Sequence, residues 1–194
     1  MLKVSGNIKL QEVSQAELEK ISSLNTPQEV IALVKIPVAT AIEAQQLSGT
    51  FTLVLDGVQD PGNLGTIIRT ADWFGISTII CSEDTVDVYN SKVVQATMGS
   101  LSRIDVHYSN LLLLLPKIKQ PVFGAMLHGE NIYQTNFGNE GLILMGNEGN
   151  GIRPEIQELI SRKITIPQTG KAESLNVAIA TAIFCNEINR NRLK

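Results

Sequence analysis

Three stretches of the sequence set glycines and polar side chains directly after short apolar runs, an arrangement able to hold a ligand and aim charge at it. Leu142, Ile143, Leu144 and Met145 run into Gly146, Asn147, Glu148, Gly149, Asn150 and Gly151. Ile164, Thr165 and Ile166 lead towards Ser174, Leu175 and Asn176, and Phe51 to Leu55 lead into Asp56, Gly57, Val58, Gln59, Asp60, Pro61, Gly62 and Asn63, with Arg69 beyond. Loops at the carboxyl ends of parallel strands converge, and the helix starts beside them offer unpaired backbone N–H groups. Glycine lets a backbone approach a ligand closely or turn sharply. A single glycine loop is equally readable as a tight turn. Three such loops predict a site.

The elements that must position these loops follow from hydrophobic spacing. From Phe51 onward strand and helix alternate: strand 51–55, helix 63–74, strand 77–81, helix 91–98, strand 103–106, helix 109–118 and strand 121–126, then strand 141–145, helix 152–160, strand 163–166 and helix 174–191. Such alternation predicts an α/β fold with a mainly parallel sheet and helices on both faces. In the helix from Asn63, Leu64, Ile67, Ile68, Ala71 and Phe74 form a buried stripe, and Arg69 falls off it. Its side chain either reaches back towards the loop containing Asn63 or pairs with Asp72 on the surface. Before residue 48, Ser14 and Glu17 fit a capping box for a helix ending near Ser22, and Val30 to Val34 read as a strand after the Thr26–Pro27 turn.

Length and composition bound the class. With 194 residues and 43% hydrophobic side chains, the chain can bury a sizeable core. Its formal net charge of −3 argues against non-specific nucleic-acid binding, so any RNA contact is local. Arg69 and Lys171 stand out among the basic residues because they flank the polar loops. No apolar run reaches the roughly 18–20 residues of a membrane span, and no apolar signal segment opens the sequence. A cytoplasmic protein without membrane association is expected. Cys81 and Cys185 show no metal-ligand spacing and read as buried thiols of a reducing compartment. No metal site is expected, since His107 and His128 stand apart from any ligand cluster.

Three segments, "DPGNLGTIIRTADWFG" with Asn63, Leu64, Gly65 and Arg69, "LILMGNEGNGI", and "ITIPQTGKAESLNVAIATAIFCNEI", resemble the three ordered motifs of the SpoU, or TrmH, branch of the SPOUT RNA methyltransferases. The resemblance covers residues 50–191. It implies transfer of a methyl group from S-adenosyl-L-methionine to a ribose 2′-OH of ribosomal or transfer RNA. It also implies a C-terminal trefoil knot, a rare exception to the rule against knots, and a homodimer with active sites near the subunit interface. Residues 1–48 resemble the last part of an N-terminal RNA substrate-binding domain plus linker, and residues 49–194 the methyltransferase domain.

Carried over residue by residue, the resemblance puts Gly146, Ile166 and Leu175 where family members hold the cofactor, with Gly124, Ala125, Met126 and Leu144 completing the pocket. Backbone N–H and C=O groups at strand ends suit this task because they are fixed in place. Arg69 matches the catalytic arginine. A guanidinium is a poor general base, which favours charge stabilisation or a phosphate clamp. Glu148 is expected to orient Arg69 or substrate, and Asn63, Ser174 and Asn176 complete the polar set. Ser174 reads equally as the N-cap of the final helix. Lys92 and Gln95 face the same region.

Two other classes remain open on the residues. A non-catalytic RNA-binding relative of the same fold predicts loss of Arg69 or of the third loop, and both are present. A phosphoryl-transfer protein needs a G-x-x-x-x-G-K-[ST] loop after the first strand, which the sequence lacks.

Overall fold

The computed structural model describes residues 9–22, 24, 26–38 and 42–192. The chain divides into two compact units between Pro37 and Val38. The first contains α1 (Gln15–Ile21), closed by the expected capping box: the Glu17 backbone N–H meets the Ser14 hydroxyl, and the Glu17 carboxylate accepts from the Ser14 backbone N–H at 2.8 Å. The expected strand at Val30 to Val34 does not form. No ladder partner pairs with it among the described residues, and Leu33 is 99% exposed.

The second unit starts ten residues before the expected boundary at 48, because Leu47, on a 3-10 turn at Ala44–Leu47, is buried against Val54, Leu142 and Leu144. Its elements are β1 (Phe51–Asp56), α2 (Pro61–Trp73), β2 (Thr78–Cys81), α3 (Ser91–Ala96), β3 (Asp105–Tyr108), α4 (Leu111–Leu114), β4 (Val122–Asn131), β5 (Gly141–Gly146), α5 (Pro154–Gln157), β6 (Arg162–Thr165) and α6 (Val177–Arg192). The six strands form one sheet in the order β3-β2-β1-β5-β4-β6, and every pair is parallel. Strands β1 to β3 step outward one way, while β4 to β6 occupy the other side. The order therefore reverses between β1 and β5, the place where open α/β sheets leave a crevice at their carboxyl ends.

Alternation along the central strands builds a core on each face. Phe51, Leu53 and Leu55 of β1 and Ile143 and Met145 of β5 pack with Leu64, Ile67, Ile68, Phe184 and Ile188 of α2 and α6. Val54, Leu142 and Leu144 point the other way, against Leu111, Leu114, Ile152 and Ile156. Helices thus cover both faces, as the alternation predicts. Gly65 lets α2 lie close on α3: a Cβ there would sit 2.4 Å from the Ala96 Cβ.

Several bounds differ from expectation for local reasons. The helix expected over 109–118 is α4 followed by a 3-10 turn at Leu115–Lys117, because Pro116 cannot donate the next helical bond. The helix expected over 152–160 shrinks to α5. Strand β4 runs on to Asn131, with a register shift between Ala125 and Glu130 against β6. Among the described residues no helix is long and apolar enough to cross a membrane.

Candidate functional site

A cavity of about 520 Å³ opens at the carboxyl ends of β5 and β6, beside the middle of β4. Its walls come from Ala125 and Met126 of β4, from Gly146 at the end of β5 through Gly151, and from Thr165 through Gly170 and Ala172 through Leu175 at and after the end of β6, with Val177 and Phe184 beneath. Its volume suits a small cofactor, and apolar side chains mixed with backbone polar groups are the usual lining of such sites. Two carboxylates, Glu148 and Glu173, line it, and the lining includes no lysine or arginine.

Five of the residues expected to hold a cofactor border this cavity: Ala125, Met126, Gly146, Ile166 and Leu175. Leu175 is 48% exposed, so its side chain stands at the mouth. Gly124 and Leu144 do not border it. Leu144 belongs to the core on the opposite face of the sheet, and a Cβ on Gly124 would point at Ile160. They lie side by side in the β4–β5 ladder below the cavity floor.

The polar residues from the three loops do meet, through hydrogen bonds among themselves. Asp60 caps α2, its side chain accepting the Asn63 N–H at 2.8 Å. The Glu148 carboxylate accepts from the backbone N–H groups of Gln59 and Asp60, each at 3.3 Å, and from the Asn63 side-chain amide at 2.9 Å. A negative group is favoured there by the unpaired N–H groups and dipole of α2. Asn63 in turn accepts from the Asn176 side-chain amide at 2.9 Å. The Asn176 side-chain oxygen accepts the N–H of Ala178 at 2.9 Å and of Ile179 at 3.3 Å. Asn176, not Ser174, is thus the cap of the final helix, which starts three residues later than the sequence suggests. Ser174 is exposed on the cavity wall.

Arg69 is separate from this network. It lies exposed on α2 beside Thr66, Trp73, Met98 and Ala182, lining a shallow hollow distinct from the cavity. The Glu148 carboxylate bonds to the start of α2 and not to Arg69, so of the two expected roles, orienting Arg69 or orienting substrate, the first is not seen in this structure. Nor does Arg69 pair with Asp72, whose carboxylate is held by Arg103 at 2.6 Å. Arg103, Arg153, Arg162 and Arg190 each have a carboxylate partner. Among arginines with described side chains, Arg69 is the one without an ion pair. Lys92 and Gln95 are exposed on α3.

Sequence reasoning missed what fixes the loop after β5. The Asn147 side chain donates to the Gly57 carbonyl at 2.7 Å, and the backbones of Asn147 and Gly151 exchange bonds at 2.9 and 3.0 Å. Beyond the loop, Arg153 closes on the buried Asp56. Burial pushes the Cys81 and Cys185 thiols up to about 12, so neither supplies a thiolate nucleophile near neutrality. No group of three or more His, Cys, Asp or Glu side chains able to hold a metal occurs among the described residues.

A parallel sheet with a cavity at the carboxyl ends of β5 and β6, walled by the glycine-rich loop after β5 and the polar segment after β6, is the arrangement of a nucleotide-cofactor-binding α/β protein. The SpoU rRNA methylase family model matches residues 50–186, and the chain belongs to that family. It is 34% identical over 176 residues to the Bacillus subtilis 23S rRNA (guanosine(2553)-2′-O)-methyltransferase RlmP, covering 89% of this chain and 69% of the relative. The structure of an AdoMet-bound rRNA methyltransferase from Sinorhizobium meliloti superposes with a TM-score of 0.84 at 33% identity, over 93% of this chain and 71% of that one. A Porphyromonas gingivalis protein assigned to the TrmH family of RNA methyltransferases superposes at 0.83 with 41% identity, over 94% and 74% of the two chains. Against three curated relatives the chain spans 69%, 58% and 53% of their lengths.

Proposed function

We propose that this chain methylates the ribose 2′-hydroxyl of a guanosine in 23S ribosomal RNA, with S-adenosyl-L-methionine as donor. The reaction class, S-adenosylmethionine-dependent RNA 2′-O-methylation, is that of its family; the choice of RNA and base rests on the relatives named above. The observation that carries the reading is the cavity itself: apolar Met126, Ile166 and Leu175 are available to adenine faces, and strand-end backbone groups to its edge. Its two carboxylates and lack of cations suit a positively charged donor. When bound, that donor supplies a methyl group activated on a sulfonium.

The chain's own contribution is positioning and charge. Asn63, Glu148 and Asn176 hold the loops after β5 and β6 on the start of α2, fixing the cavity walls relative to the helix that carries Arg69. Arg69, with no carboxylate to neutralise it, meets an RNA phosphate or the negative charge developing on the ribose oxygen as the oxygen–methyl bond forms. Ser174, at the cavity wall, offers a hydroxyl to the ribose. The segment after β6 and α6, which returns to pack against α2 and β5, is taken as the threaded part of a trefoil knot.

The protein acts as a homodimer in the cytoplasm, where ribosomal RNA is found. Support for the dimer is the apolar surface beside Arg69: Trp73 is 85% and Met98 73% exposed in the same hollow. The stretch before the second unit, rather than all of residues 1–48, is read as belonging to an RNA-recognition domain.

The test is to incubate the protein with unmodified 23S rRNA transcript and methyl-labelled S-adenosylmethionine and to map ribose methylation. Label at a single guanosine 2′-OH is expected. Label on a base, or none despite stoichiometric binding of S-adenosylhomocysteine, overturns the reading.

A further inference from the structure

We propose that Asp56, through its closure onto Arg153, is a positioning residue that presets the loop after β5 for the cofactor. The inference rests on the S-adenosylmethionine reading of the cavity. Asp56 ends β1 and lies in register with Gly146, which ends β5 and begins the cavity wall. Its side chain is completely buried, and one residue satisfies it. One carboxylate oxygen accepts the Arg153 backbone N–H at 2.8 Å; the other accepts Arg153 Nε at 2.7 Å and lies 2.5 Å from Nη2.

The backbone bond gives the arrangement its meaning. A side-chain ion pair alone leaves the main chain free to move, whereas here the same carboxylate fixes the backbone just after the loop. The other end is fixed from the same strand terminus, by the bond from Asn147 to the Gly57 carbonyl. Asn147 also accepts from the N–H groups of Gly149 and Asn150 with its side-chain oxygen, at 2.9 and 3.0 Å. Residues 147–151 therefore form a closed ring hung at both ends from the end of β1.

A buried ion pair is a weak source of stability compared with apolar packing of the same volume. At the floor of this loop, Asp56 has a different use. A loop already held in its bound shape loses less conformational freedom when a ligand settles against it, and that difference is read as affinity. Asp56 itself does not border the cavity, so it acts through the loop.

The experiment compares wild type, Asp56→Asn and Arg153→Lys by calorimetric titration with S-adenosylhomocysteine and by amide hydrogen exchange. Asp56→Asn keeps the shape but removes the charge; Arg153→Lys keeps the charge and the backbone N–H but loses the planar fork. The expected result is about a tenfold or greater weakening of binding in Asp56→Asn and a smaller one in Arg153→Lys. Exchange should quicken over residues 147–153 while β1 and α6 stay protected as in wild type. Affinities within twofold of wild type, or faster exchange spread across the whole sheet with unchanged affinity, overturn the proposal in favour of a purely structural pair. If Asp56→Asn does not fold, Arg153→Lys, with its side chain 42% exposed, decides the matter by the same two readouts. A wild-type protein that binds no S-adenosylhomocysteine sinks the cofactor reading instead; the exchange pattern then still decides whether Asp56 holds the loop.

Discussion

Asn176 donates its side-chain amide to the side-chain oxygen of Asn63 at 2.9 Å, which joins the start of α6 to the start of α2. The bond also settles how both amides point. With its oxygen occupied, Asn63 turns its NH₂ to Glu148, and Asn176 keeps its own oxygen for the first N–H groups of α6. The result is a directional chain from helix N–H to carboxylate, crossing all three loops. Removing one member leaves others unpaired, so their effects are coupled. In a double-mutant cycle, Asn63→Ala and Asn176→Ala should show a coupling energy of about 0.5–1 kcal/mol by urea unfolding. Asn176→Ala should alone cost about 1 kcal/mol through loss of the helix cap. Additive effects would show that the two amides act independently.

Gly146 has no room for a side chain. A Cβ there would lie 2.2 Å from the Gly151 carbonyl carbon and 2.3 Å from the Ile152 nitrogen, both backbone atoms that no rotamer change can move. Gly146→Ala should therefore spread the ring of residues 147–151 and weaken S-adenosylhomocysteine binding at least tenfold, with stability falling by about 1–3 kcal/mol. Unchanged affinity in calorimetry would place the ligand elsewhere.

How far such a site can be read in advance depends on sequence separation. The strands and the helix at 61–73 announce themselves by local spacing of Leu64, Ile67 and Ile68, and the capping box at Ser14 and Glu17 is complete within four residues. The Asp56–Arg153 pair spans 97 positions, and nothing in the sequence near either residue names the other. Asn176 and Ser174 are both good N-caps by residue type, and only the path of the chain out of the cavity wall decides between them. Arg69 could be read with Asp72 by spacing alone; the structure gives Asp72 to Arg103, from a later loop. The Val30 to Val34 segment has strand-forming residues but no neighbouring strand, and β propensity without a partner makes no strand.

Trp73 and Met98 should be buried by the second subunit. Trp73→Glu places a charge in that apolar face and should shift the protein from dimer to monomer in light scattering at micromolar concentration. A wild-type monomer under the same conditions would remove the dimer from the proposal.

Acid should weaken the fold through a few identifiable carboxylates. Hydrogen bonds from Arg103 hold Asp72, and from Arg162 hold Glu130, below their ordinary values of 3.8 and 4.5; Asp84 is lowered chiefly by Ser82. Because the folded-state values are depressed, their contribution is present in full above the ordinary values and is lost as pH falls below them. Urea midpoints should be flat from pH 7 to about pH 5 and then decline. Arg103→Gln should flatten part of that decline, and an unaltered profile would assign the acid sensitivity to other groups.

Arg69 is the sharpest test of the chemistry, because its placement off the cavity wall separates two roles. If it stabilises charge on RNA, Arg69→Ala should reduce methyl transfer by about 10²–10³-fold or more. S-adenosylhomocysteine binding should stay within about threefold of wild type, since Arg69 does not line the cavity. Arg69→Lys keeps the charge but not the planar fork, and should recover only part of the lost rate. Full recovery in Arg69→Lys would mean that positive charge alone suffices. A large loss of cofactor affinity in Arg69→Ala would instead bring Arg69 into the cavity of the working protein. Turnover retained in Arg69→Ala would remove the residue from catalysis and leave the charge on the ribose oxygen to be met by the N–H groups of the loops.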